Sequence, residues 1–355
     1  MVPCGALDPL LVYGATGYTG RLMVEGALAR GLRPILAGRD EAKVAALAER
    51  LGLDYRVARL SDEHALDAIL RDVRIVLNSA GPYSQTARPM VDACLRAGVH
   101  YLDITGEIPV IEALARRHGE ARRRGIMIMP SVGFDVVPSD CLAAHVAARA
   151  PGARRLVLGV TGLRFATRGS AKTLVEHAFY GVQVRREGVI TAVPCGDLRR
   201  EFDFGDGPRP SFAVTWGDVA TAWYTTGIPD IEVYFEAIPP LRVMMATGRW
   251  LGWLMRTAPW QVWLKAHADM LPEGPSDGER AAAEMVVIAE AENGHGVARA
   301  RLRTPDAYSF TGVTGPAVAA CVLRGDLEPG FQTPGRVYGP DFVLGFPGVT
   351  REDLA

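Results

Sequence analysis

Short apolar runs alternate with longer mixed stretches over the first 130 residues of the chain. The runs are 10–14, 33–38, 54–60, 74–80, 100–105 and 126–132, all rich in Val, Ile and Leu. They lack the strict apolar–polar alternation of a strand with one wet face, so they predict strands covered on both sides. The stretches between them, 18–30, 41–51, 62–70, 85–97 and 107–124, have helical spacing. In 85–97, for example, Met90, Val91, Cys94 and Leu95 fall on one stripe. Strand–helix units in series predict an α/β fold with a doubly wound, Rossmann-type parallel sheet.

After residue 135 the alternation is lost. A helix is expected over 138–149, with Ser139 or Asp140 supporting its first turn, and a strand over 154–163. A helix behind a glycine turn is expected over 168–181. Strand character on both sides of Asn293-Gly294 predicts a hairpin within 284–302, with His295 solvated in its turn. The stretch 306–325 reads as a helix with Pro316 at its beginning. There is no internal repeat or low-complexity linker, so the domains are expected to be interleaved.

The first strand runs into LVYGATGYTG, with Gly14, Gly17 and Gly20 three apart. A glycine turn between a strand and a helix is the setting of a dinucleotide fingerprint. Gly14 permits the tight turn, Gly17 lets the backbone approach a pyrophosphate, and Gly20 lets helix and strand pack closely. Together with Ala15, Thr16, Tyr18 and Thr19 they form the expected cradle, with the helix amides facing the phosphates. The spacing is GxxGxxG and not GxGxxG, so the βαβ setting carries the assignment. Strand two then selects the nucleotide. Where an NAD enzyme usually ends this strand in an acid, the chain reads AGRDEAK. Arg39 can fork onto the 2′-phosphate of NADP, and Lys43, one turn on, can add charge. Asp40 reads as the N-cap of the next helix. Strand four ends in NSAGPYSQ, so Ala80, Gly81 and Pro82 are expected close to the cofactor and Tyr83 near the nicotinamide, unless Tyr83 is only packed in a turn.

These residues resemble a known family. GATGYTG, AGR, NSAGPYS, ACLRAGVHYLDITGE and GFDVVPSD, with GPSDGER and GFQTPGRVYGPDFV near the C-terminus, are similar to the saccharopine dehydrogenase-like reductases. Within them the chain is most similar to the trans-acting enoyl reductase branch of lipid biosynthesis. The resemblance implies an NADP-binding Rossmann domain over 1–135 and a mixed α/β substrate domain over 136–305. It also implies that 306–355 returns to pack on the Rossmann domain. Short-chain dehydrogenases, which share GATGYTG, are excluded: none of the ten tyrosines has a lysine four residues on.

Three residues are candidates for the chemistry: Tyr83; Asp135, a loop carboxylate beyond strand six; and Lys172, able to donate a proton or hold an acyl thioester by charge. Structural roles compete for each, a turn brace for Asp135 and a solvated side chain for Lys172. His177 is the other protonatable group nearby and reads as a core histidine. The arm 240–265 holds Trp250, Trp253, Trp260 and Trp263, with Arg242, Arg249 and Arg256 seven residues apart, then Lys265 and no acid. It suits an interfacial helix, a greasy channel, a dimer interface or an ordinary core helix pair.

Composition narrows the rest. The net charge of −1 gives no field for nucleic acid. The five cysteines, Cys4, Cys94, Cys141, Cys195 and Cys321, form no CxxC pair, so no metal site or disulfide framework is expected. MVPCGALDPL has neither a basic start nor a long apolar run, which predicts a cytoplasmic protein, with membrane association only through the arm. The expected partners are an apolar small molecule and a second copy of the chain. The expected function is NADPH-dependent reduction of a polarised double bond on an apolar acyl or isoprenoid-like substrate. Two alternatives stand beside it. One is an imine or ketone reductase clamping an amino-acid-like substrate with Arg164, Arg168, Arg185 and Arg199; the other is a non-catalytic NADP-binding protein.

Overall fold

The computed structural model describes residues 10–163, 167, 181–270 and 272–355, and the chain divides into two units. The first comprises Met1–Phe134 with Tyr308–Thr333, the second Asp135–Ala307 with Pro334–Ala355.

In the first unit β1 (Leu10–Tyr13), β2 (Ile35–Gly38), β3 (Tyr55–Val57), β4 (Ile75–Asn78), β5 (His100–Asp103) and β6 (Met127–Met129) are joined late in the chain by β15 (Gly330–Phe331). All seven pair in parallel, in the order β15-β6-β5-β4-β1-β2-β3. β1, β2 and β4 are buried along their whole length, as their unbroken apolar runs predict. The strand order reverses between β1 and β4, and a sheet of this kind opens its ligand crevice at that point, beyond the carboxyl ends. α1 (Tyr18–Ala29), α2 (Glu41–Leu51), α3 (Glu63–Ile69) and α4 (Tyr83–Ala97) follow the first four strands.

Three local expectations change. The helix expected over 107–124 is two, α5 (Ile108–Ala115) and α6 (His118–Arg124), because Arg117 leaves the helical path and pairs with Asp92 and Glu120 at 2.7 Å each. β3 stops at Val57, which frees Arg59 and Leu60 for a loop. The helix Ala307–Arg324 starts nine residues before Pro316 and carries it inside. A proline cannot donate to the carbonyl four residues back, here that of Gly312. That carbonyl lies against Gly26 of α1, where a Cβ would come within 2.0 Å of it. The proline thus falls where two helices pack backbone to backbone through glycine.

The second unit holds a mixed nine-stranded sheet, with β7 (Arg155–Thr161) and β12 (Asp230–Glu236) parallel at its centre. α7 (Val137–Arg149) packs on β13 (Glu284–Asn293) and β14 (Gly296–Pro305). These two strands form the expected hairpin. The Asn293 side chain accepts from the amides of His295 (2.8 Å) and Gly296 (3.0 Å), and His295 is exposed. The C-terminal segment does not go to one unit as expected over 306–355. Only Tyr308–Thr333 joins the first. Pro334–Ala355 stays with the second, because β16 (Thr350–Leu354) extends the sheet against β14 and the Gly335 amide donates to Asp140 at 2.7 Å.

Candidate functional site

The carboxyl end of β1 turns through Gly14, Ala15, Thr16 and Gly17 into α1. Gly14 takes φ +82°, and a Cβ on it would lie 2.9 Å from the Ala80 amide nitrogen. A Cβ on Gly20 would lie 2.2 Å from the Gly14 carbonyl oxygen and 2.8 Å from Ser79 Oγ. That hydroxyl, from the end of β4, donates to the Tyr13 and Gly14 carbonyls and clamps the turn from beside it. Gly17 differs. Its φ is −71°, and a Cβ would meet only the Gly14 oxygen, at 3.4 Å. No contact inside the protein calls for glycine at 17, and it is exposed. As N-cap it offers α1 no capping side chain, and the first turn contains no acid. The positive end of the helix therefore faces outward without an anion of its own. Thr16, Tyr18 and Thr19 flank this opening, with Tyr18 held edge-on to Tyr308 at 5.6 Å. The set fits a diphosphate.

Beside it a cleft of about 700 Å³ is lined by Tyr13, Arg39, Asp40, Arg59, Leu60 and Ser61. Asp40 caps α2, accepting from the Lys43 amide at 3.2 Å, as its position predicts. The Lys43 ammonium turns back to the same carboxylate (3.5 Å). The second cation of the cleft is thus Arg59 and not Lys43. Among the described residues neither Arg39 nor Arg59 is ion-paired with an acid. Burial raises the Tyr13 phenol, and the Arg39 charge opposes that rise. Two guanidiniums in one cleft suit a phosphate monoester, which accepts forked hydrogen bonds. Sequence patterning missed Arg59 because nothing local marks where β3 ends.

The stretch Ala80–Tyr83 sits on a buried polar network. Asn78 Oδ1 accepts from the Ala80 amide (3.1 Å), while its amide group donates to the Tyr101 hydroxyl (3.2 Å). Tyr101 in turn donates to Asp103 at 2.8 Å. Asp103 also accepts from the Thr105 and Ser131 amides at 3.0 Å each. Burial still pushes its carboxyl up to about 6. Pro82, at the N-cap of α4, has no group to cap with. The buried Glu107 carboxylate does this instead, accepting from the Tyr83 amide (2.7 Å) and the Ser84 amide (2.9 Å). Gly81 adjoins only Tyr83, whose hydroxyl reaches back to the Asn78 carbonyl at 3.4 Å. A carboxylate twenty-four residues away cannot be paired with Tyr83 from sequence spacing; the only signal was that Pro82 leaves the helix start uncapped.

In the second unit Asp135 heads a group of acids. Burial pushes its carboxyl up to about 7, and its backbone carbonyl accepts from Trp216 Nε1 at 2.7 Å. Asp140 is not a helix cap. It lies inside α7, fully buried, and accepts from the Thr225 hydroxyl (2.6 Å) and the Gly335 amide. Asp218 is also fully buried, and among the described residues neither of its oxygens meets a donor in good hydrogen-bond geometry. The Ser139 hydroxyl beside it donates to the Val136 carbonyl (3.1 Å). Burial, then the charge of Asp140, holds the Asp218 carboxyl well above the usual range. A carboxyl raised in the fold binds a proton that the unfolded chain releases near pH 4, so it favours folding least at high pH. Asp218→Asn is expected to stabilise the protein at pH 8 more than at pH 5. Urea unfolding at both pH values measures this, and an equal effect at the two removes the buried-carboxyl account.

Lys172, His177, Arg164 and Arg168 lie outside the described residues. Arg185 is buried, donating to the Val219 and Gly188 carbonyls, and Arg199 donates to Gly196 while lying over Phe212. Cys94, Cys141, Cys195 and Cys321 are buried free thiols, and no metal-binding cluster is found among the described residues.

Comparison with known proteins agrees with this geometry. Residues 10–129 match the family model described as the saccharopine dehydrogenase NADP binding domain. A trans-acting enoyl reductase of Mycobacterium ulcerans (strain Agy99) is 32% identical over 182 residues, 47% of this chain and 44% of that protein. One from Mycobacterium leprae (strain TN) is 35% identical over 139 residues, 37% of this chain and 33% of that protein. The matches thus span less than half the length of these relatives. The apo form of saccharopine dehydrogenase (L-Glu forming) from Saccharomyces cerevisiae shares the fold over 98% of this chain and 99% of its own, with a TM-score of 0.68 at 13% identity. The glycine turn, the strand order and the basic cleft at the end of β2 thus agree with the saccharopine dehydrogenase NADP binding domain model that residues 10–129 match.

Proposed function

We propose that the protein is an NADPH-dependent reductase of a polarised carbon–carbon double bond, acting on an α,β-unsaturated carbonyl carried by an apolar chain. The observation that carries the cofactor half is the pairing of a glycine turn that presents bare helix amides with a cleft holding two guanidiniums that, among the described residues, are not ion-paired to acids. Support for the enoyl half comes from the relatives named trans-acting enoyl reductase.

The hydride for the β-carbon is what NADPH supplies when bound. This chain's residues bind and position it. The α1 amides would hold the diphosphate and Arg39 with Arg59 the 2′-phosphate, and the Asn78–Tyr101–Asp103 network with Glu107 keeps Ala80–Tyr83 in one conformation. The proton for the α-carbon comes from solvent. An amino-acid-like substrate is less well supported, since Arg185 and Arg199 are already committed to backbone carbonyls.

The test is NADPH oxidation by the full chain with enoyl thioesters, imines and ketones offered in parallel. Turnover is expected with the enoyl compounds alone. NADPH binding without turnover on any substrate would leave the non-catalytic alternative standing.

A further inference from the structure

The arm is two helices, Pro239–Met255 and Ala258–Asp269, and their surface is unusual for a soluble fold. Trp250 is 73% exposed, Trp253 67%, Val262 69% and Trp263 50%. An ordinary core helix pair buries such residues, so that interpretation of the segment falls. On the first helix only Met245 and Gly252, seven apart, are buried. Val243 and Trp250, also seven apart, form an outward line. Arg242 and Arg249 each precede a member of that line by one position, about 100° around the helix, and Arg256 at the C-cap continues their seven-residue spacing. Trp253 lies between the two lines, and the Arg249 guanidinium sits 5.8 Å from the Trp250 ring. Arg242 donates to the Ala237 carbonyl just ahead of the helix, Arg256 donates to the Gly252 carbonyl, and Arg249 is ion-paired to Asp197.

We infer that this face docks on a lipid bilayer surface carrying anionic headgroups. Indole rings beside cations match the interfacial zone, where the ring lies at the headgroup level and the charge meets phosphate. The segment 240–265 has four cations and no acid, in a chain whose net charge is −1, and with Arg249 answered by Asp197 the excess positive charge rests on the other three. A second copy fits less well, because a two-fold interface would set this cationic stripe against its own image. Spanning is excluded for these helices: none among the described residues is long and apolar enough to cross a membrane. The arm lies on the surface.

The inference does not depend on the reductase assignment, and NADPH titration run in parallel separates the two. The experiment is flotation of the full chain with vesicles of phosphatidylcholine alone and of phosphatidylcholine with phosphatidylglycerol at about 7:3, with tryptophan emission recorded. The protein is expected to float with the anionic vesicles, to shift its emission to the blue, and to be released by about 0.5 M salt. The triple variant Trp250→Ser, Trp253→Ser, Trp263→Ser should lose at least about 10-fold in vesicle affinity while binding NADPH as before. Arg242→Glu with Arg256→Glu should remove the preference for anionic lipid. Failure of the parent protein to float, or equal flotation of the triple variant, overturns the proposal. So does a dimer by light scattering that the triple variant breaks while the parent ignores vesicles, since the occupant is then a second copy.

Discussion

Gly20→Ala is expected to damage folding and cofactor binding together, whereas Gly17→Ala should damage binding alone. The two glycines sit three residues apart in the same turn but face different neighbours. At position 20 the new methyl would lie 2.2 Å from the Gly14 carbonyl oxygen, a backbone atom, and 2.8 Å from Ser79 Oγ. The first of these cannot rotate away, so helix and strand must separate. Overpacking of this kind costs on the order of 1–3 kcal/mol. The separation also moves the α1 amides off the diphosphate, and loss of one charge-assisted hydrogen bond, about 1.5–3 kcal/mol, weakens binding by at least roughly 10-fold. At position 17 the methyl meets the protein only at 3.4 Å, an ordinary contact at its tight end. Its melting temperature should stay near that of the parent while NADPH affinity falls. Thermal melts and calorimetric titration of both variants decide it. Parent-like NADPH binding by Gly17→Ala would mean that no phosphate approaches this turn.

Arg39→Ala is expected to raise the Kd for NADPH by about 10–100-fold and to leave NADH binding almost unchanged. The guanidinium would fork onto the phosphate that distinguishes the two nucleotides, and hydrogen bonds to charged groups contribute about 1.5–3 kcal/mol. Arg59→Ala should act in the same direction and show non-additivity with Arg39→Ala, because both residues line one cleft. Lys43→Ala should change little, as its charge is already answered by Asp40. Titrations of both nucleotides against the parent, the three single variants and the Arg39→Ala, Arg59→Ala double variant suffice. An unchanged NADPH-to-NADH ratio in Arg39→Ala would remove the 2′-phosphate from this cleft.

Much of the first unit was legible because its signals are local. The unbroken apolar runs of β1 and β4 read directly as buried parallel strands, and α2 spans the expected 41–51 with Asp40 as its cap. Gly14 and Gly20 showed their roles through their place between a buried strand and a helix, since a positive φ and a close helix–strand approach each exclude a side chain. Pro316 misled, because it falls inside a helix at the Gly26–Gly312 contact, where the Gly312 carbonyl it cannot bond to lies against Gly26. For the arm, periodicity showed a tryptophan stripe and a cation stripe but not whether water or protein meets them. Only the exposure of Trp250 and Trp253 removed the core alternative.

By itself the sequence determined the parallel sheet, the phosphate turn and the choice of a cation at the end of β2, because each follows from a handful of neighbouring residues and their backbone or charge requirements. The tertiary structure decided which cation joins Arg39, which carboxylate caps α4, which acids of the second unit are buried together, and that β16 closes its sheet. Those outcomes depend on residues tens to hundreds of positions apart meeting in space. Burial and charge pairing act over a few ångströms of space, however long the chain between the partners, and local spacing carries no record of such meetings.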